Sequence, residues 1–375
     1  MDNRIARLRG IVRAVVAGIG LVVATHAFAA GSLYSGIYVF GDSLADSGNV
    51  YAASSGTVPI GPPYFNGRFS NGPNFADVLA GKLGLAQNAI GLNPSLMPAP
   101  GVPFPYGTNY AWGGANSGPA VLPVGGLSTP SVYRSTLPGP GELPSQLQIY
   151  GSYLQGAGTG ADPNALYVLW SGGGDLRDAV NYAHTHPSTA FADGEAVVSA
   201  AIGNLQGALF TLEAMGAQHV LVPNVPNVGL TPETRDWDSN PAFSLASYAT
   251  ALTGNFNLRL ESMLDTFQGL SIIQFDTYAL FNEILGNPAA FGITNTTDPC
   301  LTTGALSIYI GGTVCSAPGE MLYWDNHHPS STIHAALGER MYAAVVPEPQ
   351  IYMMMIAGCL WVTFVAWRRR GRVAR

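Results

Sequence analysis

Charge is scarce in this 375-residue sequence: 10% of residues are Asp, Glu, Lys or Arg, against 47% hydrophobic ones. A chain with that balance can build a sizeable core, but its surface must be unusually neutral. Cysteine is equally rare, at three, and no Cys/His spacing resembles a zinc site. His184 and His186 sit in a Pro-containing stretch and read as solvated loop residues rather than ligands. The Gly-x-Ser-x-Gly nucleophile elbow is missing, because Ala45 stands where its second glycine would be. There is no linker that would split the body into two domains. Gly (46) and Pro (27) are plentiful but follow no period, which points to long loops rather than collagen or a repeat array.

The two ends carry patterns of their own. Arg4, Arg7, Arg9 and Arg13 precede the uncharged apolar stretch Ala14 to Ala24, and Ala27-Phe28-Ala29 follows with small-x-small spacing. That is the layout of a secretory signal peptide over 1–29, too short in its apolar part to span a bilayer comfortably. An uncleaved anchor is the alternative. At the other end, Pro347-Glu348-Pro349 precedes Ile351 to Trp367, which is 17 residues without a charge, and an arginine cluster from Arg368 to Arg375 follows. A stretch of that length sits at the lower limit for a spanning helix, with its arginines cytoplasmic and the body outside. The arrangement over 347–375 resembles the PEP-CTERM sorting tail of Gram-negative bacteria. That resemblance implies exosortase processing, transient membrane anchoring, and export to the periplasm, cell envelope or extracellular matrix. A permanent tail anchor is the rival.

With both ends set aside, the body from 30 to 346 keeps 7 of the 16 Lys+Arg and 21 of the 23 Asp+Glu, a net charge of about −14. That sign argues against nucleic-acid binding and against docking on anionic lipid. Cys300 and Cys315 remain in this exported part and bracket a Gly/Thr-rich loop with little core of its own. A disulfide is expected between them, worth roughly 3 kcal/mol in the chain-entropy model.

Along the body, short β-rich apolar runs begin at Ile37, Leu166, Val220 and Ile272, with a briefer candidate at Asn109 to Trp112. Helix-length amphipathic stretches lie between them: Phe75 to Leu83, Gln146 to Leu154, Gly194 to Met215, Ser244 to Phe267 and Thr332 to Val345. Near-continuous apolar strands alternating with helices imply an α/β fold with a central parallel sheet covered on both faces. Ligands on such sheets bind beyond the carboxyl ends of the strands. Gly84 to Gly107 and Ser117 to Gly141 read as long loop insertions.

Two places concentrate the chemistry. Gly41-Asp42-Ser43 follows the first strand, where a small residue before the serine lets the hydroxyl project and puts backbone N–H groups beside it. Near the C-terminus, Asp325-Asn326-His327-His328-Pro329 places a carboxylate three residues before an imidazole. An Asp so placed can fix the His tautomer and stabilise the imidazolium that forms.

These blocks, in order, make the sequence similar to the GDSL/SGNH hydrolases from about Ile37 to Val345. Phe40 to Asn49 matches the block that carries the nucleophile, and Gly67-Arg68-Phe69-Ser70-Asn71-Gly72 matches a second stretch. Asn109 to Ala115 matches the block whose glycine donates an oxyanion N–H, with Gly114 in that place. Val222 to Pro226, Asn255 to Asn257 and Asp325-x-x-His328-Pro329 match as well. The resemblance implies a three-layer α/β/α flavodoxin-like sandwich and hydrolysis of carboxylic esters with no metal or other cofactor. It implies Ser43 as nucleophile, His328 as base and Asp325 as its orienter, and the Pro after His328 favours it over His327. The oxyanion would be held by the N–H groups of Ser43 and Gly114.

One position departs from the family. Its third block reads Gly-x-Asn-Asp, the Asn donating to the oxyanion, whereas the Asn place here is Gly174. Gly174 or the nearby Asn116 is the candidate for the remaining oxyanion position. Losing one such donor costs roughly 2.7–4 kcal/mol of transition-state stabilisation, so restoring Asn at 174 is expected to raise kcat. The expected activity is that of a secreted serine esterase or lipase. The alternative is a catalytically weakened member that binds exopolysaccharide or another surface component. Acyl lipids, phospholipids and acetylated carbohydrates all remain open as substrates.

Overall fold

The computed structural model describes residues 33–88, 107–119, 121–122, 141–302, 312–346 and 357–363. The chain divides into a short N-terminal unit, Met1–Tyr34, and a body, Ser35–Arg375, which carries every element named below. The leader, the Pro347-Glu348-Pro349 motif and most of both long insertions lie outside the described residues. Of the apolar stretch from Ile351 to Trp367, residues 357–363 are described and are helical. Among the described residues, no helix is long and apolar enough to cross a membrane.

The four apolar runs form β1 (Ile37–Gly41), β2 (Leu166–Trp170), β3 (His219–Pro223) and β4 (Ser271–Phe275). They lie side by side in the order β1-β2-β3-β4, every pair parallel. The briefer run at Asn109 forms one parallel bridge to Val39 rather than a strand. Its backbone still follows β1: the Tyr110 N–H donates to Val39 O and the Trp112 N–H to Gly41 O.

Helices fill the connections. In chain order they are α1 (Asn49–Ala53), α2 (Phe75–Leu83), α3 (Leu143–Ala157), α4 (Gly173–Thr185), α5 (Ala190–Met215), α6 (Pro232–Trp237), α7 (Leu245–Leu264), α8 (Thr277–Gly286) and α9 (Ser331–Val345). Strand β2 is buried at every position, and its alternation explains the layering. Tyr167 and Leu169 join Phe40, Val220 and Val222 in a core shared with α3, α4, α5 and α7. Trp170 points to the other face, its ring 4.9 Å from that of Phe75 on α2, and α2 packs against α9. The α/β architecture, a parallel sheet between helices, is as the strand and helix alternation predicts.

Two elements depart from the sequence-based expectation. Helix α4 begins at Gly173, so His184, read from the sequence as a loop residue, lies in the last turn of a helix. Its ring sits 5.7 Å from that of Trp237, and His186 stacks on Tyr182 at 4.0 Å. Helix α8 starts directly after β4, where the Asp276 side chain accepts the Ala279 N–H as its cap.

Beyond the main sheet, β5 (Asn295–Pro299) pairs in parallel with β8 (Met321–Tyr323), and β6 (Leu301–Thr302) pairs with β7 (Thr313–Val314). Cys300 and Cys315 are joined by a disulfide. Strand β8 ends at Tyr323 and so delivers the chain to Trp324 and Asp325. The Cys300 N–H donates to Tyr323 O and the Leu301 N–H to Trp324 O.

The α2–α9 contact contains a titrating group. His334 of α9 is buried, and its Nδ1 accepts the Phe75 N–H at 3.2 Å. Burial pushes its pKa down to about 3, so the folded ring is neutral while the unfolded one protonates below about 6.5. The stability carried by this depressed pKa is complete above about pH 6.5 and is lost as pH falls toward 3, at most about 5 kcal/mol. His334→Gln, which keeps an acceptor but cannot titrate, should flatten that part of the Tm-against-pH curve relative to the parent. Parallel curves for the two proteins between pH 6.5 and 4 would refute it.

Candidate active site

Strand β1 ends in a residue that only glycine can supply. Gly41 has φ +155°, and a Cβ there would collide with Trp170 O. Gln146 holds it from the side, accepting the Gly41 N–H at 2.9 Å and donating to Gly41 O at 2.8 Å. The chain then turns through Asp42 and Ser43, with the Asp42 carboxylate accepting the Leu44 N–H.

Asp46 links this turn to the second block. Its carboxylate accepts the N–H groups of Gly48, Asn49 and Val50, and also that of Gly113 at 2.9 Å. Asn49 donates to both Asn109 O and Ala111 O at 2.8 Å. Two buried side chains therefore bind the Ser43 turn to the Gly114 loop. Sequence reasoning assigned them no role, although both lie inside the matched blocks.

The loop after β8 supplies the other partners. Ser43 Oγ lies 2.7 Å from His328 Nε2. His328 Nδ1 lies 2.8 Å from Asp325 Oδ2 and 3.0 Å from Oδ1. Asp325 and His328 are both buried, at 0% and 1% exposed, while Ser43 is partly open. Asp325 also accepts the N–H groups of His327 and His328, at 3.0 and 2.8 Å. Burial by itself would raise the Asp325 pKa, but the His328 ring and the N–H donors outweigh it and hold the carboxyl well below the usual range. An ionised Asp325 requires His328 Nδ1 to carry its proton, which leaves the Nε2 lone pair facing the Ser43 hydroxyl.

His327, the rival, is turned toward other groups. Its Nδ1 lies 4.0 Å from Glu233 Oε2 and 3.9 Å from Asp325 Oδ1, and it is the His328 ring that meets Ser43. Burial and the positive charge of Arg177 hold its pKa well below the ordinary histidine value, so it is neutral. Asp325, His327 and His328 have ligand atoms within 4.8 Å of one another, close enough to hold a cation. The Nδ1 proton that His328 donates to Asp325 takes away one lone pair such an ion would need.

Ser43 and His328 open onto a cleft of about 1100 Å3, open solvent included. Gly114, Gly173 and Gly174 line it beside Ser43, and its apolar wall includes Leu44, Val225, Val228 and Phe281. Arg177 and Glu233 close one side as a two-point ion pair, with Nε and Nη2 each 2.5 Å from a carboxylate oxygen. Among the described residues, the backbone N–H groups of Ser43 and Gly114 donate to no protein acceptor. Gly173 and Gly174 form the first turn of α4, where a helix leaves its N–H groups without intrahelical acceptors.

Asn116 does not take the place of the missing Asn. It is buried outside the cleft lining, its Nδ2 donates to Asp178 Oδ2 at 2.8 Å, and its N–H donates to Glu142. Its Oδ1 and the Ala115 carbonyl instead occupy the space a side chain at 174 would need, and an added Cβ would collide with both. The expectation that Gly174→Asn raises kcat is therefore reversed. The backbone beside Gly114 would have to move, at an overpacking cost of about 1–3 kcal/mol. Gly174→Asn should lower both Tm and kcat, read by thermal unfolding and ester turnover. A faster enzyme at unchanged Tm would contradict this.

Comparison with known proteins agrees with the architecture. The family model described as GDSL-like Lipase/Acylhydrolase matches residues 37–341. A Pseudomonas putida protein, described as an uncharacterized protein in the trpE-trpG intergenic region, is 32% identical over 332 residues. Acetylajmalan esterase 2 of Rauvolfia serpentina is 27% identical over 347 residues, and esterase EstA of Pseudomonas aeruginosa 29% over 337. These matches cover 84–85% of the chain. The chain spans about half the length of the two Pseudomonas proteins, 50% and 47%, and 91% of the plant esterase.

Proposed function

The chain belongs to the GDSL-like lipase/acylhydrolase family, and on that footing we propose that it is a serine hydrolase of carboxylic esters using Ser43, His328 and Asp325. The observation that carries this reading is the unbroken chain of contacts from Ser43 Oγ to His328 Nε2 and from His328 Nδ1 to Asp325. The esterase names of the relatives support it.

In this mechanism Ser43 Oγ attacks the ester carbonyl while its proton passes to His328 Nε2. The C–O bond to the alcohol then breaks, and His328 gives the proton to the departing oxygen, leaving an acyl group on Ser43. Water enters, loses a proton to His328 and attacks the acyl carbon. The bond to Oγ then breaks as His328 gives the proton to Oγ, which releases the carboxylic acid and restores Ser43 and neutral His328. Asp325 stays ionised throughout and stabilises the imidazolium. The N–H groups of Ser43 and Gly114 hold the oxyanion, and the first turn of α4 at Gly173 and Gly174 supplies further N–H groups where the family uses an Asn side chain.

The ends of the chain complete the proposal. Residues 1–29 direct export and are removed, 30–346 form the hydrolase domain, and 347–375 act as a sorting tail that an exosortase processes. The mature enzyme then works in the envelope or matrix outside the cytoplasm. The experiment is hydrolysis of p-nitrophenyl esters of rising acyl length by the parent and by Ser43→Ala. Turnover that disappears with the serine supports the reading. Equal turnover by both proteins, or none by a folded parent on any ester, would sink it.

A further inference from the structure

The stretch from Tyr64 to Gly72, of which Gly67 to Gly72 matches the family as a block, contains no member of the triad. In the structure it wraps the loop that carries Asp325 and His328. The Phe69 ring lies 5.4 Å from the His328 ring. Ser70 Oγ donates to Pro329 O at 3.0 Å, and the Ser331 N–H donates to Asn71 Oδ1 at 2.7 Å. At its head, the Tyr64 hydroxyl donates to Asp325 Oδ2 at 2.8 Å. Tyr64 is 2% exposed, and its ring stands edge-on to Trp324, the residue before Asp325, at 6.0 Å.

The donors around Asp325 make this contact more than packing. Oδ1 accepts the N–H groups of His327 and His328, while Oδ2 accepts Tyr64 O–H and shares His328 Nδ1–H. Four donors fill the roughly four lone-pair sites of a carboxylate. The backbone supplies two of them and the triad a third. The fourth comes from a side chain 261 residues away in sequence.

We propose that Tyr64 is a positioning residue of the triad, its phenol O–H locking the Asp325 carboxylate in one orientation and drawing off part of its charge. The inference rests on the Ser43-His328-Asp325 reading. Without the phenol, a buried carboxylate is one donor short and its charge falls more heavily on the His328 ring. The imidazolium then becomes easier to form, so the acid limb of the kcat/KM profile moves to higher pH.

Other charged or titratable groups face the same loop. Among the described residues they are His327 on the loop itself, Glu233 on α6, Arg177 on α4, His334 on α9, and Asp42 on the cleft lining. Tyr64→Phe retains all of them, so the difference between the two profiles reads the phenol alone.

The test uses the full chain, with Tyr64→Phe and with Tyr64 replaced by 3-fluorotyrosine, assayed on one p-nitrophenyl ester across pH. Tyr64→Phe keeps the ring against Trp324. It should lower kcat about tenfold or more, the effect of losing a hydrogen bond to a charged group, with KM nearly unchanged and the acid limb displaced upward. The fluorinated phenol is a stronger donor and should displace the limb downward. Parental kcat and limb in both proteins would overturn the proposal. So would a slower Tyr64→Phe whose acid limb has not moved, since that is the signature of packing only. If Tyr64→Phe does not fold, the fluorinated protein decides alone, and an unmoved limb overturns the idea. Ser43→Ala separates the two levels. If it hydrolyses like the parent, the triad reading fails as a whole; if it is inactive while the Tyr64 proteins are unmoved, only the role of Tyr64 falls.

Discussion

Ser43→Ala is expected to lower kcat by roughly ten thousand- to a million-fold while leaving the fold intact. The size follows from the route of the proton. His328 Nε2 lies 2.7 Å from Ser43 Oγ, and without that oxygen no acyl-enzyme forms. His328 is then left to activate a water that nothing positions. What survives is binding and oxyanion stabilisation, which act whether or not the serine is present. Stability should change little, because Ser43 sits partly open on a turn held by Asp42 and Asp46 rather than by its own hydroxyl. Steady-state kinetics on a short-chain ester, beside a thermal melt, checks both halves. A residual rate above about one-hundredth of the parent, in protein free of other esterases, would mean that Ser43 is not the nucleophile.

Asp325→Asn should be nearly as damaging, costing about ten thousand-fold in kcat, although it removes only a charge and changes almost no volume. Every group around that carboxylate is a donor: the N–H groups of His327 and His328, the Tyr64 hydroxyl and His328 Nδ1. The new amide must point its NH2 at some of them. If the NH2 faces His328, the ring shifts its proton to Nε2 and can no longer accept from Ser43. If it takes the place of Oδ1, it meets the N–H groups of His327 and His328, and buried donors oppose one another at a cost of about 1–3 kcal/mol of stability. Loss of kcat with KM held, together with a lowered Tm, is the expected pattern. An Asp325→Asn enzyme within about tenfold of the parent would show that His328 does not depend on the carboxylate for its tautomer.

The three residues proposed for the chemistry were legible before any fold was known because they carry local marks. Ser43 follows a small residue at the end of an apolar strand, and Asp325 and His328 share one loop three residues apart. The strands were legible for a similar reason: a parallel strand is buried on both faces and so reads as an unbroken apolar run. Helix α4 was hidden by its own start, since Gly172-Gly173-Gly174 reads as a break in the chain. In the fold the helix begins within that run, and its first residues, Gly173 and Gly174, line the cleft.

Asn116 and Gly174 mark where sequence reasoning stops. Nearness to Gly114 in the chain made Asn116 a candidate for the oxyanion site, yet its amide is committed to Asp178, a residue of a different element. The space at 174 is filled by the Asn116 side chain and the Ala115 carbonyl, which no pattern around Gly174 announces. Tyr64 on Asp325, Asp46 on Gly113 and Arg177 on Glu233 join positions 261, 67 and 56 residues apart. By itself the sequence determined the α/β class, the family and the three residues proposed for the chemistry, because periodicity and short motifs are properties of neighbouring residues. The tertiary structure alone decided how Asp325 is held, what occupies the missing Asn site and what walls the cleft. Those are contacts between distant segments, and packing chooses them only once the sheet has brought its strand ends together.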